Sequence, residues 1–552
     1  MPRHPKGSNA RLLLSSVFKP FAQDDEFGSR RINPVELYHN QVTREQGPFS
    51  LRMFHRSWGL MLLQRNISVP CTLLDFPTRE RFVAELEQHH YDIVGLSGII
   101  VNLGKIREMC RLVRRHSPRS TIVVGGHVTA IPGIESMIDA DHIVKGEGVA
   151  WLREFLDENP RARIEHPVIP SSFGFRVMGL GGTDSGHAAA TILSSVGCPL
   201  GCNFCTTSEF FGGKGHVVTF LERGEDVYRA MCDAERQLGA HAFFMMDENF
   251  LLYRKRALEL LDLMRANRKA WSLYVFSSAN AIRKWTMREL VELGIEWIWL
   301  GLESEGNSYQ KLKGTDTRGL VDELQSHGIR VLGSTIIGLE HHTPENIDDV
   351  IEHAVAHQTV FHQFMLYTPM PGTPLHRDVE ASGRLLDDVN VADIHGQHKF
   401  NFRHAAISRD QSKVFLDRAF RRDYEANGPS LYRLMAGMLQ SWRRYGDDAD
   451  ARVRQRVRMD SGRLKRGYGA ALWAMERYLR ASNADVSRRV RSLRVDIERE
   501  MGGWSPLLHR IAGPLVHWSV RREARFGPLG RRIEPRTFVD RRNWERSGRA
   551  GV

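Results

Sequence analysis

Cys198-Pro-Leu-Gly-Cys202-Asn-Phe-Cys205 sets three thiols in C-x-x-x-C-x-x-C spacing, directly after the apolar run from Ala190 to Val196. Thiolates are soft donors that suit iron–sulfur clusters and zinc. A cubane cluster has four irons, so three cysteines leave one iron open to a small chelating molecule. A structural zinc ion asks for four protein donors, usually as paired C-x-x-C or Cys/His units. His187 and His216 are the candidate fourth donors, and neither has that spacing. Ligand count and spacing therefore favour a cluster with an open iron. Gly197 and Gly201 let the loop curl around it.

On these residues the chain resembles the radical S-adenosylmethionine (SAM) enzymes, in which C-x-x-x-C-x-Φ-C holds a 4Fe-4S cluster. The resemblance implies that Cys198, Cys202 and Cys205 ligate the cluster and that the fourth iron chelates the amino and carboxylate groups of SAM. It places Phe204 beside the adenine. It also implies that one electron from the reduced cluster yields methionine and a 5′-deoxyadenosyl radical, with a flavodoxin or ferredoxin as donor. In such enzymes the cofactor carries the chemistry, and the protein positions and shields it.

Ahead of the cysteines, strand-like apolar runs alternate with helical stretches. The strands are expected at Ala10 to Val17, Ser68 to Leu74, Tyr91 to Ser97 and Ser120 to Gly126, with Asp141 to Gly148 closing the series. Helices are expected at Leu51 to Gln64, Arg79 to His89, Ile106 to Arg115 and Ile134 to Ile138. This alternation predicts an α/β fold over 10–165, a doubly wound parallel sheet whose ligand sits outside the carboxyl ends of the strands. Glycines gather at those ends: Gly95 and Gly98, Gly125 and Gly126, Gly146 and Gly148. They would let a large flat ligand approach the backbone, and tight strand-to-helix turns ask for the same residues.

The order D-I-V-G-L-S, V-V-G-G-H, D-H-I-V-K-G-E-G, directly before the cysteine motif, resembles the cobalamin-binding domain of cobalamin-dependent radical SAM enzymes. That resemblance places Ser97, Gly125, Gly126, Gly146, Glu147 and Gly148 around the corrin. The D-x-H-x-x-G motif that donates a lower axial histidine in many cobalamin proteins is absent. The first strand runs instead into Ser15-Ser-Val-Phe-Lys-Pro20, and His55 falls in the following expected helix. Several radical SAM relatives also lack the motif.

Residues 166–189, rich in Gly, Ser and Pro, have the composition of an interdomain linker. From 190 to 402 apolar strands recur at barrel spacing: Thr191 to Val196, Ala242 to Met246, Leu273 to Ser277, Trp297 to Leu302, Val331 to Ile337 and Phe361 to Tyr367. With helices between them, such as Gly224 to Gln237 and Tyr253 to Ala266, they predict a partial (βα)6 barrel with active groups at the C-terminal strand ends. Asp247 and Glu248 follow the second strand; paired carboxylates there can hold a cationic amino group or cap a helix. The family resemblance assigns both to the methionine end of SAM, Ser278 and Asn280 to its carboxylate, and Glu303 to the ribose or amino group. It assigns Thr335 and Ile336 to the adenine. Tyr367 opens a loop, Tyr367-Thr-Pro-Met-Pro-Gly-Thr-Pro374, that resembles the family's T-P-x-P-G-T-P.

From 403 to 552 apolar residues fall at helical spacing among many arginines, as in Leu431, Leu434, Met438 and Trp442. A helical region capping the barrel mouth is expected. Leu515, Val516, Trp518 and Phe526, set among arginines, suit contact with an anionic membrane surface.

The 552 residues exceed a single core, and 42% apolar with 26% charged is ordinary globular composition. Six cysteines, three of them in the motif, make no disulfide framework. Cys71, Cys110 and Cys232 are expected as buried reduced thiols, which points to the cytoplasm. No apolar run reaches the length of a membrane span or a signal segment. A net charge of +12 is compatible with an anionic partner and names none. Nucleic acid is not expected.

The resemblance over 10–400 implies a cobalamin-dependent radical SAM methyltransferase acting on an unactivated carbon of a natural product or lipid. Radical cyclisation or ring rearrangement is the alternative chemistry. A non-catalytic cobalamin sensor is the alternative class, against which the intact cysteines speak. A tRNA methylthiolase would carry a second set of cluster cysteines in its N-terminal domain and a small β-barrel at the C-terminus, and neither is expected here.

Overall fold

The computed structural model describes residues 2–21, 23–32, 36–171, 175–182, 189–303, 312, 315–502, 506–530 and 534–544. His187, weighed above as a zinc donor, lies outside them.

Five parallel strands form the first sheet: β1 (Leu12–Ser16), β2 (Cys71–Asp75), β3 (Ile93–Ser97), β4 (Thr121–Gly125) and β5 (His142–Ile143). The register runs Leu12↔Cys71 and Leu12↔Ile93. Helices cover both faces, so Leu12, Leu13, Leu73, Ile93, Val94, Ile122 and Val124 are all but inaccessible to water. Each such side chain stabilises the fold by about 1.5–3 kcal/mol. The carboxyl ends of β1, β3 and β4 lie side by side, with Ser16 paired to Ser97 and Ser97 to Gly125.

Two local expectations change here. The helix expected from Leu51 starts only at Trp58, because Arg52–Met53 pairs as a strand with Phe175–Val177. His55 therefore precedes the helix, and its Nδ1 lies 2.6 Å from the Ser171 carbonyl. Within the linker-like 166–189, described residues also pair as strands where the composition suggests none. Ile169–Pro170, here β6, adds antiparallel to the first barrel strand, and Phe175–Val177 folds back on Leu180–Gly182.

The second sheet carries six parallel strands in sequence order: β7 (Ala189–Ile192), β8 (Ala242–Met245), β9 (Ser272–Ser277), β10 (Ile295–Glu303), β11 (Arg330–Ile337) and β12 (Phe361–Leu366). This is the partial barrel the sequence predicts. Successive side chains point to opposite faces. One face packs Phe243, Met245, Leu273, Val275, Ile298, Leu300 and Val331 beneath the helices. The other turns Phe244, Tyr274, Phe276, Trp297, Trp299 and Phe361 into a run of stacked and tilted rings. Tyr38 packs on Phe361 and closes the floor of that lumen.

The C-terminal helices sit at the opposite end from the one expected. Ser430–Tyr445 and Ala451–Arg463 pack at the amino ends of the strands, not over the mouth. Arg330 at the start of β11 pairs with Asp460, and Arg330 and Arg456 both lie 3.6 Å from Glu296 at the start of β10. Arg456 also donates to the Val291 carbonyl just before β10. The arginine-rich character of this region thus serves in part to satisfy buried backbone and carboxylates under the barrel. Near the end of the chain Phe538–Arg542 forms β13, which adds antiparallel to β2 and completes the edge of the first sheet.

Arg330 is 3% exposed, and removing Asp460 leaves Glu296 alone to meet two buried guanidinium groups, those of Arg330 and Arg456. Asp460→Ala is expected to cost about 3 kcal/mol of stability, read by urea unfolding followed by far-UV circular dichroism. An unchanged midpoint would show that this network does not tie the helices to the barrel.

Candidate active site

The site is built outward from Asp247. This carboxylate, just past β8, has no exposed surface. It accepts from the hydroxyls of Ser194 and Ser195 and from the guanidinium of Arg256. The two serines interrupt the run expected as one strand. β7 ends at Ile192, and Ser195–Val196 leaves to pair with Val218–Thr219. That short hairpin is the stem of the cysteine loop.

In the loop the Ser208 hydroxyl donates to the Cys198 carbonyl at 2.7 Å, and the Cys205 amide to the Cys202 carbonyl at 3.0 Å. Gly201 has φ +63°, and a Cβ there would come within 2.5 Å of Lys214, so the tight crossing requires glycine. All three cysteines are half-buried. Among the described residues no group of His, Cys, Asp or Glu is gathered to enclose a single metal ion. Three thiols on one short loop suit a cluster with an open iron better than a zinc ion that needs four protein donors. Phe204 packs against the cluster of buried side chains at the ends of β11 and β12 that includes Ile336, Ile337 and Leu375. The amide of Leu375 donates to Asn203, which joins this loop to the far side of the barrel.

The two acidic residues after β8 do different things. Asp247 is fully engaged inside the protein. Glu248 faces the cysteine loop and receives a backbone hydrogen bond from Gly197, while its Oε2 is buried without a hydrogen-bond partner among the described residues. Burial pushes its carboxyl up to about 7. A cation brought alongside would satisfy it.

Asn249 bridges the next loop. Its side chain donates to the Ser278 hydroxyl and accepts from Ser277 and from the Ser278 amide. Ser278 caps the short helix Ala279–Ile282, and Asn280 accepts from Thr315 at 3.3 Å. Glu303 ends β10 at a register shift, 4% exposed and with φ +57°. A non-glycine residue held there stores about 1–3 kcal/mol of strain, a cost found mostly at functional sites. Thr335 turns away from the lumen and meets Nε2 of the buried His362, while its neighbour Ile336 lies with Phe204. Tyr367 is buried, its amide tied to the Ile337 carbonyl and its ring edge-on to Phe402.

Across from the cysteine loop lie the strand ends of the first domain. An added Cβ at Gly125 would meet nothing within 4 Å, whereas one at Gly126, with φ +82°, would strike the Gly98 carbonyl at 2.6 Å. Gly125 therefore borders open space and Gly126 serves the turn. Gly146 also has positive φ, and a Cβ there would lie 3.5 Å from the Phe210 carbonyl. Ser97 is half-buried beside Gly126. Glu147 caps the helix Gly148–Phe155 through the amides of Val149 and Ala150, and Gly148 packs towards Leu63. Those two residues build the turn beneath the strand ends.

His127, directly after the paired glycines, stacks on Phe210 with ring centroids 4.4 Å apart. Burial holds its pKa down at about 4, so it is neutral. Its place beside Gly125-Gly126 was the signal that could have singled it out. The loop after β1 presents no histidine. Lys105 fills the space behind it, donating to the Phe18 carbonyl at 2.9 Å and lying over the rings of Phe18 and Phe21.

A cradle of bare backbone at parallel strand ends fits a corrin, and three thiols on a loop at a barrel mouth fit an open-iron cluster with SAM. A two-domain chain with these sites facing each other is a radical SAM enzyme with a B12-binding domain. Comparison with known proteins agrees. The B12 binding domain family matches residues 61–156, and the radical SAM superfamily matches residues 192–354.

Among individual relatives, the chain is 24% identical over 350 residues to bacteriochlorophyllide d C-8(2)-methyltransferase of Chlorobaculum tepidum, covering 59% of this chain and 75% of that protein. It is 25% identical over 319 residues to the hopanoid C-2 methylase of Rhodopseudomonas palustris, covering 54% and 59%. The solved structure of the radical SAM methyltransferase TsrM from Kitasatospora setae, with tryptophan and a SAM analogue bound, superposes with a TM-score of 0.51 at 15% identity. That likeness, over 82% of this chain and 99% of the other, is one of fold.

Two substitutions separate these roles. Gly125→Leu projects into open space and is expected to weaken cobalamin binding by about tenfold or more while the melting temperature stays unchanged. Equilibrium dialysis with hydroxocobalamin reads the first and differential scanning fluorimetry the second; undiminished binding would remove Gly125 from the cradle. Glu248→Gln is expected to weaken SAM binding by about tenfold in a fully folded protein. Asp247→Asn, which strands Arg256, should instead cost about 3 kcal/mol of stability. Isothermal titration with SAM and urea unfolding on both variants would expose the reverse pattern if the roles are exchanged.

Proposed function

We propose that this enzyme transfers a methyl group to an unactivated carbon of a ring-based natural product or lipid. The observation that carries it is the contact between the two sites: Phe210, on the helix that follows Cys205, stacks on His127, which follows the corrin-side glycines. Gly372, in the loop after β12, also lies against the first domain, where an added Cβ would come within 2.7 Å of the Ala130 carbonyl. A methyl carrier and a radical source must reach the same substrate carbon, and this contact brings their two binding sites together. The named methyltransferases among its relatives support the same reading.

When bound, the cluster and SAM supply one-electron cleavage to a carbon radical, and cobalamin supplies the methyl carrier. The chain's own part is placement. Cys198, Cys202 and Cys205 would hold the cluster, Glu248 would meet the ammonium of SAM, and Phe204 with Ile336 would pack the adenine. Ser278 and Asn280 would serve its carboxylate and Glu303 its ribose. Thr335 serves through its backbone, its hydroxyl being taken by His362, and Tyr367 supports the loop that ends β12. Asp247 positions the cysteine loop from behind. Gly125, Gly126, Gly146 and Ser97 form the corrin cradle, with Glu147 and Gly148 shaping the turn beneath it. A low-potential flavodoxin or ferredoxin donates electrons, and a reducing, cytoplasmic setting suits the thiols.

The test is anaerobic reconstitution with iron, sulfide and hydroxocobalamin, then turnover of SAM with a reductant and candidate ring-based substrates. Methyl transfer is expected to give S-adenosylhomocysteine and 5′-deoxyadenosine together, with a methylated product by mass spectrometry. Deoxyadenosine alone with an unmethylated, rearranged product would replace methylation by radical cyclisation or rearrangement. Cys202→Ala is expected to lose the cluster's visible absorption and both products. Product formed without a cluster would overturn the reading.

A further inference from the structure

We propose that the helix Pro506–Gly530 lies flat on an anionic lipid bilayer and docks the enzyme there. Ile511, Leu515, Trp518 and Phe526 are 62%, 67%, 59% and 55% exposed. At the helical pitch of 3.6 residues per turn these positions fall within an arc of roughly 80°, so they form one stripe. The stripe is roughly 22 Å long at 1.5 Å per residue. A surface helix normally turns its apolar stripe to the core and its polar face to water. Here the core-facing side offers Val516, Ser519, Val520 and Glu523, the last held by Arg176, while the larger Ile511, Leu515, Trp518 and Phe526 face water.

The charges on this face select the occupant. Arg522 lies over the Trp518 ring at 4.9 Å and Arg525 over Phe526 at 5.2 Å. From 511 to 526 the one acidic residue is Glu523, and Arg176 neutralises it. The exposed charge along the stripe is therefore wholly cationic. A row of apolar and aromatic side chains flanked by arginines matches the boundary where lipid phosphates meet acyl chains. A second copy of the chain is a poorer match. Two such faces would bring arginines together without an acid to meet them, on chains that each carry +12. Among the described residues no helix is long and apolar enough to cross a membrane, so the helix rests on the surface.

This proposal stands apart from the chemistry at the barrel mouth, and so does its test. The purified full-length enzyme is sedimented with vesicles of equimolar phosphatidylglycerol and phosphatidylcholine, and with phosphatidylcholine alone. Binding to the anionic vesicles is expected to be about tenfold tighter than to the neutral ones and to weaken as salt is raised. The double variant Leu515→Ser, Trp518→Ser is expected to lose about tenfold or more of that binding with an unchanged circular dichroism spectrum. Val414→Ser, which removes an equally exposed apolar residue from another helix, is expected to bind as the parent does. Failure of the parent to sediment with anionic vesicles would overturn the proposal, as would full binding by the double variant. A dimer by light scattering that the double variant dissolves would overturn it in favour of a second copy.

Discussion

Asp247 is a carboxylate with no access to water, and moving such a group inside a protein costs several kcal/mol unless charge and hydrogen bonds meet it. Ser194, Ser195 and Arg256 meet it, and the geometry of the site follows from how they must stand to do so. The serines have to leave the β7 ladder, so the chain turns and the cysteine hairpin projects from the barrel mouth towards the first domain. With Asp247 directed inward, its neighbour turns the other way, and Glu248 comes to face Gly197 at the root of the loop. One buried ion pair thus sets both the stance of the thiols and the position of a carboxyl with an oxygen to spare.

The lumen shows a second division of labour. Rings from β8, β9, β10 and β12 line the floor, while the mouth holds short polar groups and the strained Glu303. A floor packed with stacked aromatics resists deformation, which lets the loops above it be short and still fixed.

The parts that could be read from the sequence are those whose signal is local. Three cysteines within eight residues declare a cluster because ligand spacing is a property of the loop itself. The apolar runs of both sheets declare strands because parallel strands are buried on both faces. The different fates of Asp247 and Glu248 were hidden, since both are acids and the choice depends on serines and an arginine brought together only by folding. The strands within 169–182 were hidden by Gly and Pro, whose turn-forming signal masked short pairings. The same holds for the placement of the C-terminal helices: arginines that look solvated turn out to satisfy Glu296 and the Val291 carbonyl under the barrel. Of the four apolar residues that the sequence set among arginines near the end of the chain, Leu515, Trp518 and Phe526 are exposed, while Val516 turns inward against the C-terminal helices, a division that depends on which face those helices cover.

β13 joins the last described segment to β2, a strand near the beginning of the chain. Until it arrives, β2 is the outer strand of the first sheet, apolar and with a free row of backbone donors and acceptors. A ribosome adds about 5–20 residues per second, so the interval between making β2 and making β13 is roughly 20 to 90 s. For that whole interval the growing chain carries an uncapped edge. Once paired, that edge is covered by a strand bearing Asp540, Arg541 and Arg542, charges that discourage any further chain from adding to it.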